Sequence, residues 1–334
     1  MIHVASPTTR RSRTAAALVL CVVAGGPLAV ADLHGQVRGG FTEPFERTVA
    51  IGSEGLLDLS NLSGRITVTG GGGRDVVISA TKRARNARSD AEASALFADV
   101  RIDVAERTGR VVVRTIYGAR SGRRGSVGVD YTVRVPRDTA LELRSVSGDI
   151  EVSGVRGETR VEVVSGDLTL LDVTNLARAK TVSGDVEVAD AAGARDTSLA
   201  VVSGDLRVRN LKSPRIEVES VSGDMDLADL ETERLNVGSV SGDVRFQGPL
   251  ARTGRYEVNS HSGSVRLRVG GSGFDLEAQT FSGDIDTNVS VLVPPGATPG
   301  RRGRRNQELR GAVDGGGALL SIRTFSGDIT ISRD

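Results

Sequence analysis

The chain has 334 residues, 43 basic against 42 acidic side chains, three histidines and one cysteine. This near-neutral balance argues against general nucleic-acid binding, which needs an excess of Lys and Arg on one face to engage phosphates. One cysteine and three scattered histidines supply neither a disulfide framework nor a zinc cluster.

In chain order, Arg10, Arg11 and Arg13 precede an apolar run from Thr14 to Ala24, and Ala29-Val30-Ala31 offers a small-x-small cleavage site. Residues 1–31 therefore read as a signal peptide. A membrane anchor needs about 20 apolar residues, and Gly25, Gly26 and Pro27 interrupt this run early. Both general secretion and twin-arginine export stay open: Arg10-Arg11 fits the latter, but Ser12, Arg13 and Thr14 stand where apolar residues belong. Cleavage would remove Cys21, three arginines and no acid, leaving a slightly acidic chain without thiol chemistry or another apolar span. The expected location is outside the cytoplasm: periplasmic, at the cell surface or secreted.

Residues 32–56, with Gly35, Gly39, Gly40, Pro44 and Gly52 and little periodicity, read as a linker. Residues 57–140 read as a first coil followed by a cap region. Leu57, Leu59, Ile66 and Val68 alternate with polar neighbours around Ser63-Gly64-Arg65. Val76-Val77-Ile78 is strand-like, and Ser89-Asp90-Ala91-Glu92 forms a capping box ahead of Ala93, Leu96, Phe97 and Val100, apolar at helical spacing. One short helix is predicted there. Alternating runs at 100–104, 111–116 and 129–135 predict three further strands, closed by Pro136.

From residue 141 to 334 the chain is a repeat. Ser-Gly-Asp begins at Ser147, Ser165, Ser183, Ser203, Ser222, Ser241, Ser282 and Ser326, with Ser-Gly-Ser at Ser262 and Ser-Gly-Arg at Ser63. The spacings from Ser147 to Ser282 are 18, 18, 20, 19, 19, 21 and 20, within the range of solenoid repeats. Four residues before each serine stand Leu143, Val161, Ala179, Leu199, Val218, Val237, Val258, Ala278 and Ile322, and three after it Ile150, Leu168, Val186, Leu206, Met225, Val244, Val265, Ile285 and Ile329. Two short period-2 strands thus flank every turn with one face inward. A second corner follows at Asp172-Val173, Asp190-Ala191, Asn210-Leu211 and Asp229-Leu230. Two strands in about 19 residues give an all-β parallel solenoid rather than a propeller, whose blades need about 40. Ten layers at about 4.8 Å predict a rod about 45–50 Å long, with the helical region capping its N-terminal end against edge pairing. Outward charges alternate in sign between layers, as in Glu187, Arg207, Asp226 and Arg245, which suits cross-strand pairing.

The stacking also lines up the turn acids Asp149, Asp167, Asp185, Asp205, Asp224, Asp243, Asp284 and Asp328. Unit charges about 4.8 Å apart would repel by roughly 1 kcal/mol in water and 3 or more at an effective dielectric of 20. Calcium between coils is one way to offset this, but the nonapeptide spacing of calcium rolls is absent. The favoured role is structural: an Asx-type turn in which each carboxylate accepts backbone N–H groups and stays solvated.

These Ser-Gly-Asp coils, together with Val135-Pro136-Arg137 leading into the first regular turn and Gly315-Gly316-Gly317 leading into the last, resemble the bacterial putative-adhesin family over roughly residues 57–334. The resemblance implies an exported domain of unassigned function with a structural or adhesive envelope role, and carries no catalytic residues. Arg65 and Ser264 depart from the repeat, which counts against any function requiring every turn acid.

No cofactor, metal or catalytic group is predicted. His3 leaves with the signal, His34 lies in the linker, and His261 replaces the valine that precedes Ser-Gly-Asp in the six preceding coils. The alternative is a polysaccharide-active lyase or hydrolase using surface carboxylates such as Asp226 and Asp286. Sugar stacking is disfavoured, because the chain has no Trp and Phe246, Phe281 and Phe325 occupy positions that read as buried. The basic cluster Arg301, Arg302, Arg304 and Arg305, within a loop insertion at 294–317, is a candidate polyanion contact. The expected partner is an envelope component or surface polymer, with no specific nucleic acid.

Overall fold

The computed structural model describes residues 40–52, 54–118, 127–271, 273–292 and 307–333. Residues 1–39, including the expected signal peptide, lie outside the described residues. The repeat folds as a parallel β-solenoid: a 13-stranded and a 14-stranded sheet run side by side, joined at every layer by the Ser-Gly-Asp turn. In the coil of Ser203, for instance, the strand Asp196–Ser203 belongs to one sheet and Leu206–Lys212 to the other. Leu199, Val201, Leu206 and Val208 point inward and are at most 2% exposed. Asn210 then turns the chain at φ 51°, so that Leu211 also points into the core. Asp172, Asp190 and Asp229 hold the same left-handed conformation in their own coils. Asp and Asn tolerate this region better than other non-glycine residues.

Each layer repeats this pattern in exact phase with its neighbours: Ser165 pairs with Ser147 and Ser183, and Leu168 with Ile150 and Val186. The turn glycine makes that phase possible. Gly204 has φ 135°, and a Cβ built on it would fall well inside van der Waals contact of the Gly184 carbonyl oxygen one layer away. The other turn glycines are placed alike.

At the N-terminal end both sheets continue beyond the first coil. β1 (Thr42–Ala50), β2 (Leu56–Ser63), β3 (Ile66–Gly71) and β4 (Asp75–Ala84) precede α1 (Asp90–Ala98), and β5 (Val100–Arg107), β6 (Arg110–Tyr117) and β7 (Val127–Pro136) follow it. β7 extends one sheet beyond β3, with β4 and β1 antiparallel outside it, while β6 and then β5 extend the other beyond β2. α1 connects the two extensions and buries Ala93 and Phe97. The Ser89 hydroxyl accepts the Glu92 N–H at 3.2 Å, and the Glu92 carboxylate accepts the Arg88 N–H at 2.9 Å, one residue further back than a capping box requires. Lys82 ties the cap together, donating to Glu43 at 2.7 Å and to the Phe97 carbonyl at 3.2 Å.

Three expectations need correction. The 32–56 segment is not wholly a linker: Thr42–Ala50 is an edge strand, where Pro44 costs nothing because one side of the strand needs no partner. The 294–317 insertion is not wholly a loop, since Gln307–Val313 forms a strand antiparallel to Phe274–Ser282. The layers also do not follow sequence order. The strand Ala318–Ser326, next to last in the chain, lies between Arg255–Ser262 and Phe274–Ser282, so the coil of Ser326 fills the slot inside the coil of Ser282.

The stacked glycines generate a direct test. Gly204→Ala combines strain at positive φ with collision against Gly184, and is expected to cost about 3 kcal/mol or more. Urea unfolding should show the loss, whereas Gly238→Ala, at a position where a Cβ meets nothing within 4 Å, should change stability little.

Candidate functional site

The turn acids gather into one column, but each carboxylate reaches across to the next coil instead of folding back on its own turn. Asp149 Oδ1 accepts the Asp167 N–H at 3.2 Å, Asp167 that of Asp185 at 2.9 Å, and Asp185 that of Asp205 at 2.9 Å. The series continues from Asp205 to Asp224, from Asp224 to Asp243 and from Asp243 to the Ser264 N–H, at 2.9–3.0 Å. Beyond Ser264, Asp328 accepts from Asp284 at 3.0 Å, and Gln307 closes the column by donating to Asp284 at 2.7 Å. The local Asx turn expected from sequence is therefore an intercoil ladder, because the layer repeat sets the next coil's amide within hydrogen-bond reach of each carboxylate.

Arginines four residues after the turn serine neutralise the column. Arg207 meets Asp185 at 3.3 Å and Asp205 at 2.9 Å, Arg245 meets Asp224 at 3.2 Å and Asp243 at 3.4 Å, and Arg266 meets Asp243 at 2.7 Å. The alternation read along Glu187, Arg207, Asp226 and Arg245 thus places the residues in register, while these guanidinium groups go to the turn acids. The Arg266 hydrogen bond holds the Asp243 carboxyl below its ordinary range, against an opposing effect of partial burial. Acidic residues of the rival enzymatic reading are not brought together. Asp226 and Asp286 sit on strands four layers apart in one sheet, about 19 Å at the usual strand spacing. Glycosidase carboxylates stand about 5–9.5 Å apart. Arg301, Arg302, Arg304 and Arg305 lie outside the described residues.

On the other side of the turn serine the structure reveals a feature that sequence reasoning missed. The residues just before each serine form a continuous outward ridge. Leu62, Val146, Val164, Val182, Val202, Val221 and Val240 are 37–50% exposed, and Phe325 and Phe281 are 51% and 44% exposed. The phenylalanines expected to be buried are therefore surface residues. Strand alternation sends the residue two before the serine inward, and the next one must face out, whatever its hydrophobicity. Phe246, by contrast, is buried as expected, at 4%. At the C-terminal end of the ridge three rings stack in layer order: His261 on Phe325 and Phe325 on Phe281, each 5.0 Å between centroids and within 7° of parallel. A hollow of about 420 Å³ beside them is lined by Ser239, Asn259, Gln279 and Arg323. The signal was present in the sequence as an apolar column at one repeat position, interrupted by His261.

The family model described as Toastrack DUF4097 matches residues 57–332. Among solved structures, the chain is similar to a putative lipid binding protein from Parabacteroides distasonis, at 11% identity and TM-score 0.48, covering 87% of this chain and 96% of that one. It is also similar to a putative adhesin from the same organism, at 12% identity and TM-score 0.44, covering 87% and 97%. A putative adhesin from Bacteroides fragilis gives 12% identity and TM-score 0.39 over 87% and 97%. No curated protein matches the chain.

Two tests follow from the ladder. Asp185→Asn keeps an oxygen for the Asp205 N–H and should preserve the fold. Asp185→Ala removes it and should cost about 1 kcal/mol more by urea unfolding, and a calcium chelator should leave the wild-type melting temperature unchanged. The second concerns acid. A carboxyl held low in the folded state adds stability above its unfolded value, and that stability is lost as pH falls through the folded one. Wild type and Arg266→Gln should therefore differ in urea midpoint at pH 7 and begin to converge below about 3.9.

Proposed function

The chain belongs to the Toastrack DUF4097 family, and from that premise we propose that it is an exported, non-enzymatic protein of the cell envelope, an adhesin-like scaffold that holds its partner along the apolar ridge. The observation that carries this reading is the ridge itself. Nine apolar side chains, each more than a third exposed, run in one column from Leu62 to Phe281, with His261 in the layer between Val240 and Phe325. Contiguous exposed apolar surface of this extent marks a contact site on a soluble protein. Its rigidity favours binding, because short β-branched side chains fixed on a stacked sheet lose little freedom when covered.

The rest of the repeat fits a display role. Buried columns hold the layers in phase, the acid ladder and its arginines secure the adjacent corner, and Asp226 and Asp286 stand four layers apart, well beyond catalytic spacing. Export rests on the sequence pattern of residues 1–31, and the expected partner is an envelope component or surface polymer. N-terminal sequencing of the mature protein should begin at Asp32.

Replacing Val164, Val202 and Val240 together by lysine puts three charges on the ridge without touching the core. Co-sedimentation with an envelope fraction should fall at least ten-fold, while the melting temperature stays within about 2 °C of wild type, as for surface substitutions generally. Unchanged co-sedimentation would sink the ridge as the contact surface.

A further inference from the structure

The acid ladder is interrupted where Arg65 takes the place of a turn aspartate, and the interruption has the composition of a binding site. A cavity of about 490 Å³ opens there, lined by Arg65, Arg83, Arg85, Asp130, Asp149 and the neighbouring backbone. Two of the three guanidinium groups are matched: Arg65 pairs with Asp149 at 3.1 Å and Arg83 with Asp130 at 2.5 Å. Arg85 is not. Its guanidinium lies over Gly128, where an added Cβ would be 3.4 Å from Nη2, and it forms no ion pair among the described residues. Its charge acts on the nearby Tyr117 phenol, whose pKa burial raises to about 12 while Arg85 pulls it in the opposite direction. The cavity therefore carries one uncompensated positive charge.

A backbone donor is left over at the same place. In the coils from Ser165 to Ser262 the third residue of the turn gives its N–H to the aspartate one layer below. The Arg65 N–H finds that acceptor in Asp130, at 2.9 Å, on the cap strand β7. Asp149 should in turn donate to the side chain of residue 65, but that side chain is a guanidinium and cannot accept. Among the described residues the Asp149 N–H finds no acceptor. An amide that expects a carboxylate, beside one paired and one unpaired arginine, is the chemistry that receives an oxyanion.

We infer that the break at Arg65 is an anion-binding site, taking one carboxylate or phosphate group in the position where the repeat's own carboxylate is missing, held by the Asp149 N–H and the guanidinium groups of Arg65 and Arg85. Arg83 and Asp130 position the cap strand below it. The site lies across the turn from the apolar ridge, and either reading can fail without the other. The shared chemistry is a single oxyanion, whose source is either a small soluble anion or a group on an acidic polymer.

The full chain without its first 31 residues is titrated by calorimetry and thermal melting with inorganic phosphate and with glucuronate, at ionic strength matched with sodium chloride. Polygalacturonate and a poly(glycerol phosphate) form the polymer arms. Wild type should bind one phosphate or carboxylate per chain and melt higher in its presence, since a ligand that binds only the folded state stabilises it. Arg85→Gln should melt like wild type without anion and bind at least ten-fold more weakly. Arg65→Asp supplies the missing carboxylate, so it should melt higher than wild type without anion and lose the response to it. Tighter binding of a polymer than of its monomer, lost in Arg85→Gln, assigns the group to a polymer; equal binding assigns a small anion. No binding in wild type, or equal binding in all three proteins, overturns the site. A lysine-substituted ridge that still binds phosphate normally shows that the two surfaces are separate.

Discussion

The structure depends on how closely one turn can approach the next. At each Ser-Gly-Asp corner the backbone lies so near the glycine carbonyl of the adjacent layer that a methyl group would not fit, and φ lies between 125° and 154°. Only glycine meets both conditions without strain. Because this corner admits a single residue type and a single conformation, it sets the phase of both flanking strands. The inward residues then stack layer upon layer, Leu206 on Val186 and Met225 on Leu206, and the core becomes a set of columns. Burial supplies the driving force, but the glycine decides the register in which it is collected.

The same phase sets the electrostatics. Identical layers bring identical charges together, and a column of aspartates would oppose stacking if its oxygens faced only one another. Here each carboxylate faces an N–H of the next layer, and arginines from the adjacent strand bridge successive acids. The ladder is thus an additional set of bonds between coils, added to those of the two sheets. Its two departures from Asp have different consequences. Ser264 still gives its own N–H to Asp243. Arg65 is served from outside the repeat by Asp130, an acid that no repeat pattern would single out; both departures leave the amide of the following turn, Asp328 after Ser264 and Asp149 after Arg65, without a carboxylate.

The solenoid, the number of layers and the short helix were legible because each rests on local signals: alternation in the strands, Gly at the corner, Ser89 and Glu92 at the helix start. Three things were not legible. Valine before Ser-Gly-Asp reads as core by composition, and only the geometry of the corner shows that Val164 and Phe325 face out. The ladder looked like a set of local turns because its partners lie 18–20 residues away. The order of the last two layers left no trace either, since the coils of Ser282 and Ser326 carry the same pattern and either slot would accept either one. Gln307, which ends the ladder, sits in a segment whose neighbouring Pro and Gly residues read as loop.

That exchanged order bears on how the fold is completed during synthesis. The strand Phe274–Ser282 is made before Ala318–Ser326, yet it finds its parallel partner only when the later strand arrives between it and Arg255–Ser262. Until then the growing solenoid has an open slot one strand wide, and the outermost coil is held mainly by its hairpin with Gln307–Val313. Arrival of the last sixteen described residues, 318–333, closes two sheet edges in a single step. The C-terminal segment therefore acts as a keystone: in a chain stopped short of it the slot stays open to proteases and to stray strands, and its arrival closes that slot in both sheets.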